Sequence, residues 1–265
     1  MPAIAVSNHK GGSGKTTTAV NLAACVGERG QRVLLIDLDP QASATTWCGV
    51  HAPKRDVSEV FLRGAALQSL VVSTAWPGVD LVPATSSLVG LEKALASEVG
   101  AETLLRRALS RDALAASWDY VLVDCPPALG LLTINALAAV RDVLVPVEAH
   151  VLALAGLAQL LRVLGVVQER LNPELMSPRI LACRVDSRTR HAQEVLDDLR
   201  RRFGDGVFTT TIRENVRLAE CPSFAQPIIR YDSRSAGAAD YRALADEILR
   251  TQESPNELHP AASPA

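Results

Sequence analysis

Short runs of branched apolar residues alternate along this chain with longer stretches in which apolar positions recur every three or four residues. The short runs are Ala3 to Ser7, Val33 to Asp37, Val79 to Pro83, Tyr120 to Asp124, Val143 to Val147, Ile180 to Val185 and Val207 to Ile212. Several are apolar at every position, as strands covered on both faces should be. Among the longer stretches, Leu154, Leu157, Leu161, Leu164, Val167 and Leu171 mark one face of a helix. Further helices are expected over Thr16 to Gly27, Glu102 to Trp118, His191 to Phe203 and Gly237 to Arg250, the last burying Tyr241, Leu244 and Ile248. This alternation predicts an α/β fold, a mostly parallel twisted sheet with helices on both faces. A single domain over residues 1–250 is expected. The stretch 251–265 has three prolines and little to bury, and reads as a disordered tail.

Composition narrows the function. A chain of 265 residues that is 48% hydrophobic has material for one large core. Its net charge of -2 gives no overall basic footprint, so contact with nucleic acid would need a local patch. One stretch qualifies, since Arg179 to Arg217 holds nine arginines against six acids. The five cysteines are scattered with no CxxC pair, and read as small buried hydrophobes of a reducing cytosol. The histidines show no metal-ligand spacing, so no protein-bound zinc is expected. The most apolar stretch, Val143 to Val167, is broken by Glu148, His150, Gln159 and Arg162, which fits a strand and a helix better than a membrane span. No signal-like segment opens the chain, and a cytoplasmic protein is expected.

Two of the chain's four lysines bracket a glycine cluster, Lys10-Gly11-Gly12-Ser13-Gly14-Lys15-Thr16-Thr17, in a protein that otherwise prefers arginine. The cluster lies between the first strand and the first helix. There, glycines let backbone N–H groups converge on phosphate oxygens and the helix start adds partial positive charge. The usual phosphate-loop pattern G-x-x-x-x-G-K-[ST] is met at Gly14, Lys15 and Thr16, but His9 stands at its leading glycine. Lys15 is expected on the β- and γ-phosphates of a nucleotide, with the Thr16 hydroxyl on Mg2+. Two later strands end in acids: Asp37 with Asp39 two residues on, and Asp124. Carboxyl ends of strands are where open α/β sheets place their ligands, and Asp124 fits an acid that holds the metal's water shell.

These residues resemble the ParA partition ATPases, within the ParA/MinD group of P-loop proteins with a deviant Walker A motif. The likeness rests on Lys10 to Thr18, Asp37-Leu38-Asp39-Pro40-Gln41 and Asp124 to Thr133, and continues through Asn172-Pro173-Glu174-Leu175, Asp186-Ser187-Arg188-Thr189, Asn215 to Ser223 and Tyr231 to Ala238. The resemblance implies an ATP- and Mg2+-dependent hydrolase with a slow basal rate. It also implies that Lys10 reaches phosphates bound by a second copy of the chain, giving an ATP-sandwich homodimer. Asp39 would position the attacking water, and Asp37 would lie beside the metal. Arg188 and Arg217 match positions used for non-specific binding to double-stranded DNA. A ParB-like partner would stimulate hydrolysis, and the protein would associate with the nucleoid to move a chromosome, a plasmid or another cargo.

Several positions depart from the family pattern. Ser13 stands where valine is common, Ala42-Ser43 replaces Gly-Asn, and Val151 and Ala155 replace an aromatic residue and a glutamate. Arg213-Glu214 replaces Pro-Arg, so no adenine contact is assigned. The alternative is a MinD-like ATPase that cycles on membranes, which would need a basic amphipathic helix at the C-terminal end; residues 251–265 carry no Lys, Arg, Phe or Trp. An iron–sulphur or small-molecule enzyme on the same scaffold is disfavoured, because Cys125 has no evident partner cysteine.

Overall fold

The computed structural model describes residues 1–111, 114–149, 153–186 and 188–253, with the side chains of 153–156, 191 and 253 outside that description. Eight strands form one sheet: β1 (Ala3–Val6), β2 (Val33–Asp37), β3 (Val72–Ser73), β4 (Val79–Val82), β5 (Tyr120–Asp124), β6 (Asp142–Glu148), β7 (Arg179–Val185) and β8 (Ile212–Arg213). Their order across the sheet is β3-β4-β2-β5-β1-β6-β7-β8, and only β3 runs antiparallel to its neighbour. The expected mostly parallel α/β architecture is present.

Alternation within each strand feeds two cores. Ala3 and Ala5 of β1, with Leu34 and Ile36 of β2, face one apolar layer; Ile4 and Val6, with Val33 and Leu35, face the other. Both faces are covered, so the strands read as unbroken apolar runs. The first layer packs α3 (Ser58–Arg63), α4 (Leu91–Ala94), α5 (Leu104–Arg111), α6 (Leu114–Ser117), α7 (Leu131–Ala139), α8 (Ala153–Arg170) and α9 (Arg190–Phe203). The second packs α1 (Lys15–Glu28), α2 (Ser43–Trp47), α10 (Val216–Glu220), α11 (Ile228–Tyr231) and α12 (Ala236–Glu253). All five cysteines are buried and unbridged. Burial pushes the thiols of Cys25 and Cys183 up to about 12.

The strand expected over Val207 to Ile212 is reduced to Ile212–Arg213 and a lone bridge from Val207 to Ile180. The cause is local competition. The Glu247 carboxylate of α12 accepts the backbone N–H groups of Thr209 and Thr210, each at 2.9 Å, which diverts them from the sheet ladder. The helix expected over Glu102 to Trp118 starts as a 3-10 turn at Ala101–Thr103 and continues as α5 and α6, with residues 112 and 113 outside the described set. Of the predicted α8 stripe, Leu157, Leu164 and Val167 are buried and Leu161 and Leu171 half-buried. The final helix runs to Glu253, past the expected start of the tail, and buries Tyr241, Leu244 and Ile248. Residues 254–265 lie outside the described set, as do Ser187 and Val151. Among the described residues no helix is long and apolar enough to cross a membrane.

Candidate nucleotide and metal site

The phosphate loop follows directly from β1. Asn8 shapes its entry: the side-chain amide donates to Pro146 O of the neighbouring β6 at 2.7 Å, and its carbonyl accepts the Lys10 N–H at 3.1 Å. Gly12 and Gly14 adopt φ of 74° and 91°, left-handed values that cost any other residue energy. They let the chain double back so that α1 begins at Lys15. Thr16 and Thr17 occupy the first turn of that helix, and Ser13 is buried with its hydroxyl unpartnered. Lys15 is buried, and its ammonium donates to the Lys10 carbonyl at 3.1 Å. Burial lowers its pKa, against the opposing pull of Asp124 and Asp39.

Strand order brings the acids to this loop. β5 lies between β2 and β1, and the parallel register sets Asp37 and Val6 each beside Asp124. Asp37 is fully buried and well bonded. Its carboxylate accepts the Thr45 N–H at 2.8 Å, the Thr45 hydroxyl at 2.7 Å and the Asp39 N–H at 3.0 Å. Burial still pushes it up to about 6, against those hydrogen bonds. Asp124 is buried completely, and neither of its oxygens meets the geometry of a hydrogen bond. Burial first, then the charge of Asp37, raise it well above the ordinary carboxylate range, although the Thr16 hydroxyl is near enough to favour the ionised form. Asp39 lies at the rim of the buried set, with one oxygen accepting the Gln41 N–H at 2.9 Å.

An unpartnered carboxylate beside a second buried acid is costly unless a cation joins it. The donor set, two carboxylates and the Thr16 hydroxyl, is all oxygen and suits a hard divalent ion such as Mg2+. The loop from Gly11, the start of α1 and Asp39 line a cleft of about 570 Å³, together with Arg184, the Arg213 to Val216 segment and Tyr241, while Asp37 and Asp124 lie buried behind it. The volume suits a nucleotide-sized ligand.

Two residues were missed from the sequence. Lys10 donates to Glu148 Oε2 at 2.6 Å, and Arg184 donates to Glu148 Oε1 at the same distance. Glu148 ends β6 after an apolar run, the same signal that marked Asp124. Arg184 sits in β7 with φ of 53°, where the register between β7 and β8 shifts. Backbone strain of this kind concentrates at working sites.

The two arginines expected on DNA lie past the carboxyl ends of β7 and β8, with Arg188 within electrostatic reach of Glu214. Both are paired. Arg188 makes two bonds of 2.9 Å to Asp186, and Arg217 lies 2.9 Å from Glu220 and 3.8 Å from Asp232. The Arg188 side chain is 86% exposed, so that pair is weak and open to exchange.

Fold and cleft together define a P-loop nucleotide-binding protein whose loop carries two lysines. A family model described as an AAA domain matches residues 1–177. Among curated proteins, the chain is 44% identical over 249 residues to the sporulation initiation inhibitor protein Soj of Bacillus subtilis (strain 168), covering 92% of this chain and 97% of that one. It is 49% identical to the chromosome-partitioning ATPase Soj of Thermus thermophilus, covering 95% and 97%. A solved structure named cobyrinic acid a,c-diamide synthase, from Mycobacterium smegmatis with bound ATP analog and magnesium, superposes with a TM-score of 0.84 at 36% identity, over 99% of this chain and 100% of that one. The chain belongs to the AAA-domain family and, within it, to the ParA/Soj chromosome-partitioning ATPases.

Proposed function

We propose that this chain is a Mg-ATP-dependent switch that pairs with a second copy around bound ATP, binds DNA without sequence preference while paired, and releases on hydrolysis. The observation that carries the chemical part is the register of Asp37 with Asp124 beside the phosphate loop, with the Asp124 oxygens unpartnered. Backbone groups of Gly11 to Thr17 would cradle the phosphates, and Lys15 would lie on the β- and γ-phosphates. Thr16, Asp37 and Asp124 would hold Mg2+, which supplies charge neutralisation at the phosphates when bound. Asp39 would orient the attacking water from the edge of the buried set. Lys10 would exchange Glu148 for phosphate on the second copy, a move its 42% side-chain exposure permits. Phosphoryl transfer needs mainly positioning and charge, so a site in which Asp39 alone orients the water would have a slow basal rate open to stimulation by a ParB-like adaptor. The site would be cytoplasmic and, through DNA, nucleoid-associated.

The test is co-sedimentation with DNA in the presence of ATP, ADP or a non-hydrolysable analogue, over a salt series. Binding that requires the triphosphate and weakens steeply with salt is expected. Anionic vesicles in a parallel arm separate the MinD-like alternative, which would pellet with lipid. The cobyrinic acid name of the solved relative brings in a small-molecule enzyme, which would turn over ATP with no DNA retention in any nucleotide state.

A further inference from the structure

The connection between β4 and α4 reaches Asp37 through Thr45, and α4 itself reaches the start of α7. The Ala84 N–H donates to Thr45 Oγ1 at 2.9 Å, and that same hydroxyl donates to Asp37 at 2.7 Å. The hydroxyls of Thr85 and Ser87 then donate to Asp56, at 2.6 and 2.9 Å, and Asp56 also accepts the Ser58 N–H at 2.7 Å. So anchored, the connection runs into α4 and presents Glu92. Glu92 Oε1 accepts the N–H of Leu131, first residue of α7, at 2.7 Å.

That contact fills a gap left by the sequence. Gly130 is the N-cap of α7 and has no side chain to satisfy the helix's free N–H groups. Glu92 supplies the acceptor from another element, and its charge suits the positive end of the helix. A Cβ added at Gly130 would lie 2.0 Å from Glu92 Oε1, so the carboxylate occupies the space a side chain would need. Between Asp124 and Leu131 the chain is a six-residue loop, 125–130, in which Pro127 lines the cleft. One end of the loop is Asp124; the other is tied to Glu92.

We infer that Glu92 is a positioning residue: from α4 it pins the α7 end of the 125–130 loop, and so sets where Pro127 stands at the cleft beside the Asp37–Asp124 pair that the strand register fixes. This rests on the proposed ATP hydrolysis. Displacing Glu92 loosens the helix end of the loop, which the Thr133 hydroxyl still ties through Ala128 O at 2.6 Å, without touching the phosphate loop, so turnover is affected and nucleotide affinity is not.

The test compares Glu92→Ala, Glu92→Gln, Gly130→Ala and the double variant Glu92→Ala/Gly130→Ala by ATP turnover and by amide hydrogen exchange over residues 125–133. Glu92→Ala is expected to lower kcat about 5- to 10-fold with KM for ATP within about twofold, the pattern of a lost transition-state alignment. Glu92→Gln keeps an acceptor and should restore most of the turnover. Gly130→Ala should match Glu92→Ala, and the double variant should fall no further, because both changes remove one contact. Exchange over 125–133 should quicken in Glu92→Ala without nucleotide. A lowered Tm with kcat unchanged would reduce Glu92 to a helix cap and overturn the positioning role. Unchanged exchange in Glu92→Ala, or full additivity in the double variant, overturns it equally. If the unaltered protein hydrolyses no ATP, the parent reading fails instead, and the exchange data alone decide whether Glu92 holds the loop.

Discussion

At the ends of β2 and β5 two acids are buried side by side and one has no partner, whereas past β7 and β8 most arginines have an acid of their own. Asp124 accepts no hydrogen bond of good geometry, while Arg188 has Asp186, Arg213 has Asp240, Arg217 has Glu220, and Arg201 and Arg202 share Asp198. The nine-to-six excess of arginine over acid between residues 179 and 217 is thus largely absorbed within the protein. The buried pair holds electrostatic tension that a cation or a proton relieves; the exposed pairs hold almost none. The first region gathers two buried acids in one place, and the second can recruit phosphate only by exchanging partners. Charge counted along a sequence overstates a surface patch and understates a buried one.

The largest effect should come from relieving the buried tension directly. Asp124→Asn removes one of two adjacent buried charges and should raise the Tm of the nucleotide-free protein by roughly 3–6 °C, as about 1–2 kcal/mol does in a chain of this size. The same change should cut Mg-ATP turnover by at least about 100-fold, a trade of activity for stability. Calorimetry and a phosphate-release assay check both halves, and a lowered Tm would break the contrast. Asp39→Ala comes next. It leaves the phosphate loop intact, so nucleotide binding should persist while turnover drops about 10- to 100-fold. The paired form should then stay on DNA, and rapid ATP turnover by this variant would remove Asp39 from its role.

On the arginine side, Arg188→Glu and Arg217→Glu should each weaken DNA binding by about 10-fold at moderate salt and lower the salt slope by about one. Nucleotide affinity should not change. If both variants retain DNA normally, the patch lies elsewhere. The smallest effect is one of pH. The folded-state value of Asp37, about 6, lies above its ordinary 3.8. Its contribution therefore favours the fold below 3.8 and is lost as pH rises through 6. Asp124 moves in the same direction. Mg-ATP should accordingly raise Tm more at pH 7.5 than at pH 5.5, by about 2–4 °C. An equal shift at both values would mean that the bound ion does not compensate the carboxylates.

What could be read from residues alone follows physical range. Gly12 and Gly14 declare a left-handed loop by their identity, and Asp37 and Asp124 declare themselves by closing apolar runs, so loop and acids were legible. That Asp37 lies beside Asp124 depends on β5 inserting between β2 and β1, a fact of topology that no local pattern carries. The Lys10–Glu148 pair spans 138 positions and was invisible for the same reason. The strand expected from Val207 was lost to Glu247, 38 and 37 residues away from the threonines it binds. Local propensity was sound there, and a distant acceptor outcompeted it. The Arg188–Asp186 pair, by contrast, was within two residues and could have been foreseen; counting charges concealed it.

Lys10 joins the two regions, because the lysine proposed to cross to a second copy is held by Glu148, together with Arg184 from β7. Sedimentation velocity of the unaltered protein and of Lys10→Ala, each with ADP and with a non-hydrolysable ATP analogue plus Mg2+, tests the proposed pairing most directly. The unaltered protein should sediment as a dimer only with the triphosphate, and Lys10→Ala should stay a monomer while still binding nucleotide through Lys15. A Lys10→Ala protein that dimerises as readily as the unaltered chain would contradict the proposal that a lysine donated in trans holds the two copies together.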